Sequence, residues 1–289
     1  EHSLLVPLLQ CVEHMLGPGL DDNACCFVGP FLTLVLSKFG KALPADVVTG
    51  LLRVVVTRLM SAQLPYLKQE LLVVVARLLH EDFAGTLGAL AAMRLLPSGG
   101  GERSALEVLL VVWMANAEVV RARRARNVTV SALCRLHERC GEDEALRSLR
   151  IDGAPLPERL LAAIAAALEF ENERHGRSLK AAAAVDAESD EDEDDDDGDF
   201  DVSDRRAEKL MSELIDLEDD EDDLDALLEA EGGGGDAYQA LERSDPLHSL
   251  DLRKAASEYL ARVAQGTGCQ DEALRRRVAD AVAAASAQP

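Results

Sequence analysis

Between Asp186 and Glu231 the chain places 25 Asp or Glu against only Arg205, Arg206 and Lys209. A stretch this dense in like charge, unbroken from Asp190 through Asp197, repels itself too strongly to collapse around a core, so it is expected to be disordered. The fold must then come from the residues on either side. The surplus of 22 negative charges accounts for nearly all of the formal net charge of −23, and the flanks are close to neutral. Acidity is a local device here, open to a basic partner and inserted between two stretches of helical scaffold.

Those flanks are built mainly from Leu, Ala and Val. Hydrophobic residues make up 48% of the chain and aromatic ones 3%, which suits helices lying closely on helices better than an aromatic-rich sandwich or barrel. Period-2 alternation bounded by turn dipeptides is scarce, so few or no strands are expected. Apolar periodicity predicts helices over 3–16, 28–40, 45–62, 65–80, 83–93, 103–118, 127–140 and 158–174. Gly17-Pro18-Gly19, Pro30, Pro44, Pro65, Pro97-Ser98-Gly99 and Pro155 mark turns or first helical turns between them. After Pro44, for example, Val47, Val48, Leu51, Leu52, Val55 and Leu59 recur at helical spacing with Arg53 and Arg58 off the stripe, so that helix buries one face.

Helix pairs recurring at roughly 40 residues point to an all-α, HEAT-repeat α-solenoid, a superhelix of antiparallel pairs in which neighbours share a core that no pair buries alone. Four such pairs would fill residues 1–175. A compact helical bundle is the alternative that composition allows. The pattern stops near Lys180, which divides the chain into helical repeats over 1–179, a disordered acidic loop over 180–244 and a closing helical pair over 245–289. Gly232 to Gly235 reads as a linker, and Leu210, Met211, Leu214, Ile215 and Leu217, then Leu224, Leu227 and Leu228, as short amphipathic interruptions. Asp245-Pro246 is expected to cap a helix running to about Gln265, and Asp271 to begin a last one ending near Ala285.

The chain opens at Glu1 inside an apolar run, without an initiator Met or a signal-peptide pattern, and is expected to be a fragment with sequence missing upstream. No apolar run reaches the ~18 residues of a membrane span, so a soluble, intracellular protein is expected. The six cysteines (11, 25, 26, 134, 140 and 269) lie mostly within helical patterns and read as reduced thiols. Cys11, His14, Cys25 and Cys26 have the side-chain chemistry of zinc ligands, but adjacent Cys25 and Cys26 do not make the usual C-x2-C knuckle, and no metal site is expected.

Candidate binding residues fall in the acidic loop: Asp190, Glu191, Asp192, Glu193, Asp194, Asp195, Asp196, Asp197, Asp199 and Asp201, then Glu218, Asp219, Asp220, Glu221, Asp222 and Asp223. Carboxylates at this density neutralise a basic protein and release its counterions, as a nucleic acid would. Phe200 offers an apolar anchor within that field, and Ser189, followed by acid, suits an acid-directed kinase. Arg121, Arg123, Arg124 and Arg126 form the strongest basic cluster and Arg275, Arg276 and Arg277 the second. Without interleaved aromatics in so acidic a chain, direct nucleic-acid binding is not expected; the arginines read as solvated helix surface or as a resting place for the acid loop. Asn127-Val128-Thr129 matches a glycosylation sequon, without meaning in an intracellular helix.

Catalysis finds little support. Gly99 to Gly101 lacks a following Lys-Ser or Lys-Thr, and neither His80-Glu81 nor His137-Glu138 continues to a second His four residues after the first. Cys134 and His137 share a helix face, which helical packing explains without a nucleophile. No enzyme activity and no cofactor are expected.

Several strings carry a family resemblance: Phe27-Val28-Gly29 leading to Ser37-Lys38 and Gly40, Ala105-Leu106-Glu107 ending at Trp113, Val128 with Ala132-Leu133-Cys134-Arg135-Leu136, and Asp245-Pro246-Leu247 with Leu250-Asp251-Leu252. In order and spacing, with a long acidic insertion before the Asp-Pro-Leu segment, they resemble the C-terminal third of receptors in the importin-β, or karyopherin, family. The resemblance implies a HEAT-repeat superhelix that carries cargo through nuclear pores, moving between cytoplasm and nucleus, and releases it to Ran bound to GTP. It implies histone H2A–H2B as cargo and contact with nucleoporins through the full-length receptor. The main Ran contact of the family lies in N-terminal repeats, so no Ran-binding residue is assigned. The Arg cluster after Trp113 and the short stretch from Cys140 to Glu158 depart from the family pattern. A stand-alone acidic histone chaperone or helical scaffold is the alternative function.

Overall fold

The computed structural model describes residues 5–17, 19–40, 43–96, 101–188, 245–247, 249–265 and 271–287. Among them the chain is a succession of helices: α1 (Leu5–Met15), α2 (Asp22–Cys25), α3 (Val28–Phe39), α4 (Ala45–Ser61), α5 (Pro65–Glu81), α6 (Phe83–Ala92), α7 (Ala105–Ala115), α8 (Arg123–Glu142), α9 (Glu144–Ser148), α10 (Leu156–Glu188), α11 (Leu252–Gln265) and α12 (Glu272–Ala287). Local chemistry sets many of the boundaries. Pro44 and Pro65 stand at the starts of α4 and α5. Ser104 and Glu107 close a reciprocal capping box on α7, and the Asp143 carboxylate accepts from Ala145 and Leu146 at the start of α9.

The helices form two rows. In the first, α3, α5, α8 and α11 lie side by side and parallel. Gly29 and Gly40 of α3 face Glu70 and Glu81 of α5 in the same order. Gln69 and His80 of α5 meet Arg121 and Val128 on the α8 side, and Cys134 and Glu138 of α8 meet Tyr259 and Arg262 of α11. The second row holds α4, α7, α10 and α12, with α1 against α4 and α6 beside α7. Helix α10 runs antiparallel to α8, because Glu171 reaches Arg126 while Pro157, Glu158 and Leu161 share a cleft with His137, Cys140 and Gly141. One continuous apolar core fills the space between rows, from Val12 to Ala281.

This is the helical solenoid that the apolar periodicity predicted, with departures. Four pairs were expected before residue 175; the last three are in contact, α4 on α5, α6 on α7 and α8 on α10, whereas in the first α1 lies mainly against α4 and α3 against α5. The segments over 83–93 and 103–118 pack on each other, as α6 and α7. Both belong to the second row, where the chain breaks at Met93 and a two-residue antiparallel pairing, Arg94–Leu95 (β1) with Arg103–Ser104 (β2), redirects it. A second such ladder, Arg150–Ile151 (β3) with Ala154–Pro155 (β4), turns at Asp152 (φ 51°) and Gly153 (φ 81°), the Asp-Gly pair suited to a turn with two positive φ angles.

The third departure lies after the acidic segment. No helix starts at Asp245-Pro246. The Asp245 side chain accepts from Leu247 N and pairs with Arg77, and α11 begins only at Leu252, where Asp251 caps it by accepting from Lys254 N at 3.0 Å. A carboxylate drawn into an ion pair with another helix leaves its own chain in a local turn.

Candidate functional site: the frame around the acidic insertion

The acidic residues proposed to bind cargo, from Asp190 through Asp201 with Phe200 and from Glu218 through Asp223, lie outside the described residues. So do Ser189, the Leu210–Leu228 interruptions, the Gly232–Gly235 linker and Cys269. What the structure places is the frame on both sides: the helical residues up to Glu188 and the segment from Asp245 onward.

That frame is fixed by a set of buried polar side chains. Arg77, in the C-terminal half of α5 and 5% exposed, forms an ion pair with Asp245. Burial, with the charge of Arg124 close by, pushes its guanidinium down to about 10, so it remains charged at neutral pH. Asn127 of α8, fully buried, donates from its amide nitrogen to the carbonyls of Leu247 and Leu250, both at 3.0 Å. The stretch between Asp245 and Asp251 therefore follows no regular ladder of its own; α5 and α8 hold it. Carbonyls drawn out of water outside secondary structure require such donors.

The neighbouring residue of α8 binds the other side. Arg126 donates from Nε to Glu171 Oε1 at 2.7 Å and sits over the Phe170 ring, 4.4 Å from its centroid. Asn172, next along α10, donates to Ala281 O at 3.0 Å and accepts from Arg253 Nε at 3.1 Å, while Arg253 Nη2 donates to Ala285 O. The helix before the acidic segment is thus tied through α8 and α12 to the helices after it. On α12, Arg277 adds a two-point pair with Glu169, and that bond raises its pKa.

The basic cluster is not uniform surface. Arg126 is 3% exposed and committed to Glu171, which corrects the expectation of a solvated arginine there. Arg121 and Arg123 are exposed and Arg124 half-buried. Gln69 of α5 accepts from the backbone N–H of Arg121 and of Ala122, giving α8 a cap from another helix where Ala122 has no side-chain acceptor. In the second cluster Arg275 and Arg276 are exposed.

Cys134 and His137 do lie on one face of α8. Burial pushes the Cys134 thiol up to about 12, so it is protonated at neutral pH. The Tyr259 hydroxyl donates to Cys134 O at 3.1 Å, and its oxygen lies 2.8 Å from His137 Nδ1, whose N–H it accepts. Burial lowers the His137 pKa and raises that of Tyr259. The trio is a contact between α8 and α11. Cys25 is buried and its thiol donates to Met15 O, whereas Cys11 is exposed. Among the described residues no group of three or more His, Cys, Asp or Glu side chains is placed to hold a metal ion. No described helix is long and apolar enough to cross a membrane.

Arg77, Gln69, Asn127, Glu171 and Asn172 had not been singled out as positioning residues. Only Arg77 carried a signal, as a charge inside the apolar run Leu71 to Leu79. The sequon reading of Asn127 gives way to a buried amide that clamps two carbonyls. Compared with known families, residues 2–284 match the family model described as importin-11-like, TPR repeats. TPR units, like HEAT units, are helix–turn–helix pairs stacked in one direction, which agrees with the two rows.

Proposed function

The chain belongs to the importin-11-like family of importin-β-type transport receptors, and from that premise we propose that it is the cargo-binding C-terminal portion of a nuclear import receptor of the importin-nine kind. Receptors of this family are carriers. The acidic run binds a basic protein, with histone H2A–H2B as the cargo, and the full-length receptor shuttles between cytoplasm and nucleus through nucleoporins and surrenders its load to Ran bound to GTP. In this reading residues 1–179 and 245–289 are scaffold, and 180–244 is the cargo element.

The observation that carries the proposal is a net charge of −22 between Asp186 and Glu231, inserted between helices that buried side chains lock together. Polyanions so held attract basic proteins at long range and bind them with strong salt dependence.

The test is H2A–H2B binding across a salt series, to this chain and to a version lacking residues 189–231, which leaves α10 whole. Steep salt dependence and loss of most affinity on deletion are expected. Equal binding by both would move cargo recognition to the helices. A stand-alone histone chaperone would share the histone result, but its full-length form would neither bind phenylalanine-glycine nucleoporin segments nor release histones to Ran-GTP.

A further inference from the structure

Both flanks of the acidic insertion pass the N-terminal end of α8. Because α10 runs antiparallel to α8, Glu171 stands beside Arg126 near the start of α8. From there α10 continues to Glu188, which at about 1.5 Å per residue is roughly 25 Å beyond that point. The returning chain is next placed at Asp245, on Arg77, whose guanidinium feels the charge of Arg124. In sequence, the acid runs 190–201 and 218–223 therefore fall between a tether beside the N-terminal end of α8, at Asp245, and a second, at Glu188, on the extension of α10 past that end.

That end is the most basic locality in the sequence. Arg121, Arg123 and Arg124 lie within four consecutive positions, and the first turn of α8 contains no acidic residue. The aligned peptide dipoles of a 20-residue helix add partial positive charge at the same place. Arg126 faces inward to Glu171; Arg121 and Arg123 face outward, with Arg124 between.

We propose that Arg121, Arg123 and Arg124 form a docking surface for this chain's own acidic runs, Asp190–Asp201 and Glu218–Asp223, so that the arginines and a basic cargo compete for the same carboxylates. The occupant follows from charge complementarity and tethering. A segment joined to the same chain on both sides, with one anchor beside the surface, is presented at an effective concentration that puts it ahead of a free polyanion such as nucleic acid. Each exposed pair contributes little, so docking rests on many interchangeable contacts and weakens with salt. Competition rests on the cargo reading above; docking does not.

The experiment uses the whole 289-residue chain. Arg121→Lys, Arg123→Lys and Arg124→Lys are introduced together, keeping charge and supplying amines for zero-length carbodiimide coupling to carboxylates. Peptide mapping is expected to find links from positions 121–124 to residues 190–223, several-fold above links from exposed Lys38 and Lys254, and falling several-fold in about 0.5 M salt. Links spread evenly over all these lysines would overturn docking. Without any coupling step, Arg121→Glu, Arg123→Glu and Arg124→Glu together should bind poly-lysine several-fold more tightly than the unaltered chain; equal or weaker binding would overturn the competition. No poly-lysine binding by either protein, with the links mapped as expected, would instead count against the acidic run as a cargo element.

Discussion

Arg126 and Glu171 meet at 2.7 Å with 3% and 8% of their side chains exposed, and they join the helix that starts beside the acidic insertion's far anchor to the helix that leads into it. The next residue of α8, Asn127, holds that far anchor directly. Two consecutive side chains of one helix therefore gather both flanks of the insertion.

Removing one partner of a buried pair leaves the other charge without compensation. Glu171→Ala is expected to cost about 3–5 kcal/mol in urea unfolding. Arg126→Met with Glu171→Leu should recover most of that loss. A double variant as unstable as the single one would mean that the charge pair is not the origin of the effect.

Asn127→Ala withdraws one amide from the half-buried Leu247 and Leu250 carbonyls. The expected cost is about 1–3 kcal/mol, with faster hydrogen exchange in the Asp245–Leu252 segment and at the start of α11. Amides of α3 and α4, at the other end of the array, should keep their rates. Uniform acceleration across the chain would argue against a local clamp.

Gly29 marks the closest approach of α3 to α5. A β-carbon there would stand 2.4 Å from Glu70 Cβ and 3.3 Å from its Cα. Backbone on the facing helix has little room to yield, so Gly29→Ala is expected to destabilise by about 1–3 kcal/mol. Gly50→Ala, with open space at its β-carbon, is the control and should be neutral or slightly stabilising. Thermal unfolding of the two variants side by side decides it.

Burial lowers the pKa of His137, and of His80, where the nearby Arg135 and Arg77 charges add to burial against the opposing bond to Val128 O. The folded state thus prefers neutral imidazole, and the unfolded chain takes up protons first. Their contribution is whole above the ordinary value of 6.5 and is lost as pH falls through that value toward the depressed folded ones. The melting temperature should therefore drop between pH 7.5 and 5.5, less steeply in His137→Gln. An unchanged slope in that variant would remove His137 as a contributor.

Apolar periodicity was enough to find α3, α4 and α5 within a residue or two of their ends, because Pro44 and Pro65 punctuate a clean stripe. It failed where tertiary partners override local signals. Apolar periodicity starts that helix at 127, yet α8 begins at Arg123, where Gln69 holds the preceding N–H groups from α5 and Glu171 takes Arg126 inside. Asp245-Pro246 carried a helix-start signal that Arg77 diverts. The frame of the insertion was illegible for the same reason: its bonds span 45 positions from Arg126 to Glu171, 120 from Asn127 to Leu247 and 168 from Arg77 to Asp245. No local pattern encodes such partners.

The α5–α8–α11 contacts and the α4–α7 contact differ in how their helices meet. Between α5 and α8, and on to α11, side chains reach backbone groups across the interface at Arg121, Val128, Leu79 and Cys134, so neither helix slides without breaking a directed bond. Helices α4 and α7 meet through buried aliphatic side chains, which tolerate small shear. A beam with one inextensible edge and one compliant edge has a soft direction. Its length along α5, α8 and α11 is conserved while its curvature adjusts at the α4–α7 edge, so this part of the superhelix is expected to fit loads of different girth by flexing rather than by stretching.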